Sequence, residues 1–355
     1  MIFFLVFLFF AFVVIFFEFK SNINENPISE FEELQISIIV AAKNEEENIC
    51  SLIQHLVNQE YNKKNFEVIL VDDNSEDETY NLAKSEINNH HNFKIYKADI
   101  KKYKGKRGAL QIGIERSSFP NILITDADCQ PSKLWIKSFS EKFNENYDFL
   151  FGKAPLKHAN SLANKIACFD NLWTHILTFS FANIGLPYSA ASRSFGFKKE
   201  SFNKIKGYEN TTQTLSGDDD LLLHEAIKNK MKIGIVTNYE SIVFSDAKNS
   251  LAEFINQKAR HTSTSNYYST KNKIILGTWH LLNILFMILP LFYLFNSNFI
   301  YPFLIKIITD IFIIISFKKD FSYKFSIFEI IYLQIFYELF IVINFVLSFF
   351  RKDKW

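Results

Sequence analysis

Glycine and cysteine are both scarce in this chain, and their scarcity narrows the reading before any motif is found. Ten glycines stand against forty phenylalanines in 355 residues. The three cysteines, Cys50, Cys129 and Cys168, lie far apart, with no C-x-x-C spacing and no histidine cluster beside them. That argues against a disulfide framework or a zinc site and fits a reducing, cytoplasmic setting. An excess of either charge is also lacking. A formal net charge of +1 argues against a nucleic-acid surface, so no nucleic-acid partner is expected. The excess apolar residues are collected at the two ends, which read as membrane segments, and the middle reads as a soluble domain.

Met1–Phe17 is unbroken apolar sequence, about long enough to cross a thin bilayer as one helix. It begins without a basic residue and ends Phe16-Phe17-Glu18-Phe19-Lys20, without the small residues of a cleavage site, so it reads as an uncleaved anchor over 1–19. A polar linker with Pro27 follows over 20–34. The expected α/β domain spans 35–248. Its first strand is Ile36–Ala42, followed by a helix carrying Ile49, Leu52, Ile53 and Leu56. Phe66–Val71 is a second strand and Phe93–Ala98 a third; strand and helix in this alternation begin a doubly wound parallel sheet. A helix is expected in Lys133–Phe143 and a strand in Tyr147–Gly152. His158–Leu186 is apolar but interrupted by polar residues, as suits a helix at the lipid boundary or along an acceptor cleft. An interfacial amphipathic segment is expected over 249–273, and about three membrane segments over 274–355: Ile275–Phe295, Phe299–Phe317 and Ile327–Phe350. In the second of these, Lys306 and Asp310 are four apart on one helical face and can neutralise each other. The third carries Glu329 and Glu338.

The chemistry centres on Asn121–Pro131, NILITDADCQP, an apolar strand that ends in two aspartates one residue apart. Open α/β sheets bind ligands at the carboxyl ends of their strands. Asp126 and Asp128 there can present oxygens to one hard cation, Mg2+ or Mn2+, which suits a nucleotide diphosphate; the plain alternative is a solvated turn. Asp72 and Asp73 follow the second strand, where helix capping would explain one carboxylate but not both. Lys104–Leu110, with two glycines and three cations, opens a helix and can bind phosphate. Asp218, Asp219 and Asp220 are three consecutive acids at a helix start, where a cap needs one. Like charges this close tend to raise a carboxylate's pKa.

In order, ISIIVAAKNEEENI, VILVDDNS, GKRGAL, ILITDADCQP, SGDDDL and Gln257-x-x-Arg260 resemble the membrane-bound family 2 glycosyltransferases, over roughly Ile36 to His261. The resemblance implies the GT-A fold, a Rossmann-like, mostly parallel sheet in an α/β domain, here with N- and C-terminal transmembrane helices. It implies that Ala41, Asn44, Glu45, Asp72 and Asp73 hold the nucleotide, with Lys106, Asp126, Gln257 and Arg260 also on the donor side. Asp126 and Asp128 match the D-x-D pair, with a divalent cation as cofactor. Asp219 matches the catalytic base, and Asp218 and His261 fall on the acceptor side. Two departures bear on the acceptor: His261 stands where the family's Q-x-x-R-W has tryptophan, and Ser192–Phe197 stands where a G-x-N segment is usual.

The activity this implies is inverting transfer of a sugar from a UDP- or GDP-sugar to a lipid or lipid-linked glycan acceptor, at the cell membrane with the catalytic domain cytoplasmic. A nucleotidyltransferase is one rival, but its glycine-rich loop after the first strand is replaced here by Lys43-Asn44-Glu45. A non-catalytic member of the fold is another, and it would most naturally have lost a carboxylate. Four apolar segments are few to enclose an extruded polymer, so addition of one or very few sugars is expected. Three full spans after the anchor would put Arg351–Lys354 outside, against the positive-inside tendency, so either one segment is re-entrant or interfacial or the tail is an exception.

Overall fold

In a computed structural model, residues 2–23, 32–214 and 217–348 are described. Most of the expected linker, Leu215 and Ser216 of the acidic motif, and the tail Arg351–Lys354 lie outside them.

In chain order the elements begin with α1 (Ile2–Asn22), β1 (Ile36–Ala42), α2 (Ile49–Val57), β2 (Phe66–Asp72), α3 (Thr79–Glu86), β3 (Phe93–Lys97) and α4 (Lys106–Arg116). They continue with β4 (Asn121–Asp126), β5 (Cys129–Pro131), α5 (Trp135–Asn144), β6 (Phe149–Gly152), α6 (Leu162–Asn183), β7 (Phe195–Lys198), α7 (Lys199–Lys204) and α8 (Asp220–Lys228). The last are β8 (Ile233–Val236), β9 (Val243–Ser245), α9 (Leu251–Ser263), α10 (Thr270–Ile288), α11 (Ile300–Phe317) and α12 (Ile327–Ser348). The described residues form two compact units, one within 32–157 and 187–246, the other within 2–23, 158–186 and 247–348.

The first unit is the α/β domain. Its seven-stranded sheet has the order β3-β2-β1-β4-β7-β6-β8. The paired strands run parallel except for β7, which is antiparallel to β4 and β6. Strands covered on both faces need near-continuous apolar sequence, and all seven residues of β2 are buried. Helix α2 buries Ile49, Leu52, Ile53 and Leu56, the spacing that marked it as amphipathic. Helix α4 lies so close on β1 that a Cβ on Gly113 would come within 2.4 Å of Ile39 Cγ2. Strands β5 and β9 make a separate antiparallel pair.

The second unit is helical. Among the described residues, four helices are long and apolar enough to cross a membrane: Ile2–Asn22, Thr270–Phe292, Ser297–Phe317 and Ile327–Leu347. These are the expected N-terminal and C-terminal segments. Helix α6 is not among them, yet it groups with them rather than with the α/β domain, which differs from the continuous span 35–248. The reason is its packing: Phe181 meets Phe12 edge-on, and Trp173 meets Phe16 and Trp279. Inside this unit Lys306 and Asp310 pair at 2.6 Å with no exposed side-chain surface, as their spacing suggested, and Glu338 joins them at 3.5 Å.

Candidate active site

Strand order explains why acids distant in sequence meet. Strand β1 lies between β2 and β4, so Asp72 pairs in register with Ala42, and Asp126 with Ala41, at one edge of the sheet. The loops after β1 and β2 are laced together there. The Asn44 amide donates to Ser75 Oγ at 3.0 Å, the Glu76 amide to Asn44 Oδ1 at 2.9 Å, and the Glu45 amide to Thr79 Oγ1 at 2.7 Å. Asn44, with φ 55°, occupies the left-handed region that asparagine tolerates better than most residues. Asp72 Oδ2 accepts from the Ser75 amide at 3.4 Å, and Asp73 Oδ1 accepts from Lys101. Their other oxygens, Asp72 Oδ1 and Asp73 Oδ2, are buried without a protein partner.

Helix α4 starts at the same edge. Gly105 enters it with φ 67°, and a Cβ on Gly108 would fall 2.2 Å from the Tyr103 carbonyl oxygen, so both positions require glycine. Lys106 Nζ then lies 2.6 Å from Asp126 Oδ1 and 3.1 Å from Asp218 Oδ2. Burial opposes its charge, but these two carboxylates hold the ammonium well above the ordinary lysine range. Arg107 is buried and donates to the Thr214 carbonyl. Two of the three cations expected to bind phosphate therefore make internal contacts, and phosphate binding by Lys106 would require an exchange of partners.

The acidic triplet divides into three environments. Asp218 is driven up by burial, but Lys106 and Arg107 outweigh that and hold it below the usual carboxylate range. Asp219 is pushed well above that range, by burial first and then by the charges of Asp220 and Asp218. It caps α8, accepting from the Asp220 amide at Oδ1 and from the Ser192 amide at Oδ2, both at 2.7 Å. Asp220 Oδ1 accepts from Ser189 Oγ at 2.7 Å and from the Ala190 amide at 3.1 Å, and Ser192 Oγ reaches Asp126 Oδ2 at 3.4 Å. The segment 189–192 thus ties the helix start to the end of β4. The sequence marks Ser192 only as the start of the segment in place of G-x-N, and it gives no signal for Ser189 or Ala190; Ala190 and Ser192 act through backbone amides.

Asp126, Asp128 and Cys129 offer ligand atoms that lie within 4.8 Å of one another. Two carboxylates suit a hard cation. Cys129 does not suit such a cation: sulfur is a soft ligand, and its Sγ donates to Asp128 Oδ1 at 3.6 Å. The residues therefore fit Mg2+ or Mn2+ through Asp126 and Asp128.

The remaining expected residues belong to the helical unit. Gln257, Arg260 and His261 all lie on α9, with Arg260 Nη2 3.4 Å from His261 Nε2.

Residues 37–198 match the family model described as Glycosyl transferase family 2. The chain is 29% identical over 140 residues to glycosyltransferase AglE of Haloferax volcanii, a match covering 39% of this chain and 45% of that one. It is also 29% identical over 168 residues to a dolichyl N-acetyl-alpha-D-glucosaminyl phosphate 3-beta-D-2,3-diacetamido-2,3-dideoxy-beta-D-glucuronosyltransferase of Methanococcus voltae, covering 47% and 49%. A beta-monoglucosyldiacylglycerol synthase of Trichormus variabilis is 36% identical over 95 residues, 27% of this chain and 20% of that one. The chain thus spans less than half the length of these curated relatives. Among solved structures, a mannosyltransferase from Pyrobaculum calidifontis, in complex with GDP-Man and Mn2+, superposes with a TM-score of 0.59 at 13% identity, covering 98% of both chains. With the motif order, the mostly parallel sheet and these matches in agreement, residues 37–198 form a domain that matches glycosyl transferase family 2, in the GT-A fold.

Proposed function

We propose that this protein transfers a sugar, with inversion, from a UDP- or GDP-sugar to a hydroxyl of a lipid or lipid-linked glycan acceptor at the membrane. The observation that carries this reading is the half-buried Asp219 carboxylate, held by two backbone amides beside the Asp218–Lys106–Asp126 chain and raised above its ordinary range. A carboxylate so raised is a stronger base than an exposed aspartate, as proton abstraction from an alcohol requires. In the reaction the acceptor oxygen bonds to the anomeric carbon as the bond to the diphosphate oxygen breaks on the opposite face. The acceptor proton passes to Asp219, and the nucleoside diphosphate leaves with the bonding pair.

Asp72 and Asp73, at the end of β2, suit the base and ribose, flanked by Ala41, Asn44 and Glu45. Asp126 and Asp128 are the residues to hold a divalent cation, which when bound supplies positive charge against the diphosphate. Arg260, on α9, is the guanidinium for that diphosphate, with Gln257 one turn before it, and Asp218 and His261 are assigned to the acceptor side. The GDP-Man and Mn2+ held by the structure of similar fold favour the same pairing of donor and cation. The acceptor class is supported by two relatives whose names carry dolichyl or diacylglycerol groups.

Charge distribution supports a cytoplasmic catalytic domain. Lys318, Lys319 and Lys324 lie between α11 and α12, where Asp320 pairs at 2.6 Å with Lys20 at the end of α1, whereas Leu289–Phe299, between α10 and α11, has no charged residue. The test is mass spectrometry of lipids from membranes containing the protein, incubated with a panel of nucleotide sugars, with and without chelator. One sugar increment on a lipid, lost with chelator, supports the proposal. No sugar-bearing lipid with any donor, from folded protein, would overturn it.

A further inference from the structure

Helix α9 carries Gln257 and Arg260, yet it has little apolar surface with which to fix its own rotation. Only Phe254 and Ala259 are buried among its thirteen residues. Phe254 stacks on Phe340 of α12, with ring centroids 5.4 Å apart and planes 3° from parallel. Ala259 lacks the bulk to resist turning. At about 100° per residue, Phe254, Lys258 and Ala259 occupy one side of the helix and Glu253, Asn256, Gln257 and Arg260 the other.

The second firm contact on the docked side is ionic. Lys258 Nζ lies 2.7 Å from Asp170 Oδ2 and 3.3 Å from Thr174 Oγ1, both on α6. Asp170 is 3% exposed, and its Oδ1 is buried without a partner. A buried ion pair is a weak source of stability, because apolar residues of similar size often do as well. Its directional bonds do fix orientation. One slip of α9 by a residue would break the pair and leave a buried carboxylate alone.

We infer that Asp170 is a positioning residue for the donor end of the reaction: through Lys258 it sets the rotation of α9, and so the direction in which Gln257 and Arg260 point. This rests on the donor role proposed above for Arg260. Asp170 touches no reacting atom in this account. In sequence it looked only like a polar interruption of an apolar helix.

Two readouts separate the clamp from the donor role. The first needs no substrate: thiol labelling of Ala259→Cys in the full-length protein, in a Cys50→Ser background, reports the rotation of α9. Labelling should be slow with Asp170 present and rise about tenfold or more with Asp170→Ala; equal rates would overturn the clamp. The second is the KM for the nucleotide sugar. Asp170→Ala and Lys258→Ala should each raise it on the order of tenfold with kcat altered much less, and the swap of Asp170→Lys with Lys258→Asp should recover most of the loss. Single variants that lower only the melting temperature, with KM unchanged, would make the pair purely structural and overturn the inference. Arg260→Ala is the reference: wild-type KM in that variant alone would refute the donor role of α9, while the labelling result still decides the clamp.

Discussion

The chain builds the same charge arrangement twice, one lysine between two carboxylates, in two different surroundings. At the sheet edge Lys106 lies between Asp126 and Asp218, and all three side chains keep some contact with solvent. Among the apolar helices Lys306 lies between Asp310 and Glu338, with no exposed surface on Lys306 or Asp310. Lys306 also donates to Asn283 Oδ1, and Gln334, which donates to Glu338, accepts from Trp173 Nε1 at 3.0 Å. The sealed cluster therefore joins α6, α10, α11 and α12. Burial decides what each can do. A cluster open to solvent can trade a protein partner for a phosphate or a metal ion, whereas a sealed one can only hold helices in register.

Asp128→Ala should abolish transfer by removing a cation ligand, and excess chelator should do the same to the unmodified protein; full turnover in chelator would remove the metal from the account. Lys306→Ala should cost about 3–5 kcal/mol of stability, because it strands two buried carboxylates, and it should appear as loss of folded protein in detergent. Lys106→Ala should do the reverse, lowering transfer on the order of a hundredfold while moving the melting temperature little. If both lysines proved equally structural, the contrast between open and sealed clusters would be wrong.

The pH profile makes a finer prediction. Asp219 must be ionised to accept a proton, so activity should fall as pH drops through its raised pKa, giving an acid limb above the ordinary aspartate range. The Asp220 charge contributes to that rise, so Asp220→Asn should move the limb toward lower pH. A limb that stays fixed would remove Asp220 from the cause. Smallest of all, product length should remain one or very few sugars per lipid with donor in excess, read by mass spectrometry; a long ladder would contradict the reading of four apolar helices as too few to enclose a polymer.

What the sequence revealed follows from where its information is local. Strands β1, β2 and β4 were legible because burial on both faces demands unbroken apolar runs, and Asp72 and Asp126 ended those runs. Their meeting was not written locally: Lys106 reaches Asp126 and Asp218 only because the fold brings the start of α4, the end of β4 and the start of α8 together. Ser192 left no side-chain signal, since its amide holds Asp219. Helix α6 was read as an element of the lipid boundary or an acceptor cleft, but its grouping with α1, α10 and α12 depends on tertiary aromatic contacts such as Trp173 with Trp279. Asp170 gained meaning only from Lys258, far along the chain.

The central claim is that Asp219 acts as a base rather than as a donor or metal ligand, and the most direct measurement compares nucleotide-sugar binding with transfer in Asp219→Asn. The amide keeps the shape, and its one oxygen can accept from the Ser192 amide with loss of the bond from the Asp220 amide, but it cannot take the acceptor proton. The account predicts a donor Kd within about threefold of wild type and a loss of transfer of roughly a thousandfold. Parallel loss of binding and transfer would contradict it and move Asp219 to the donor or metal site.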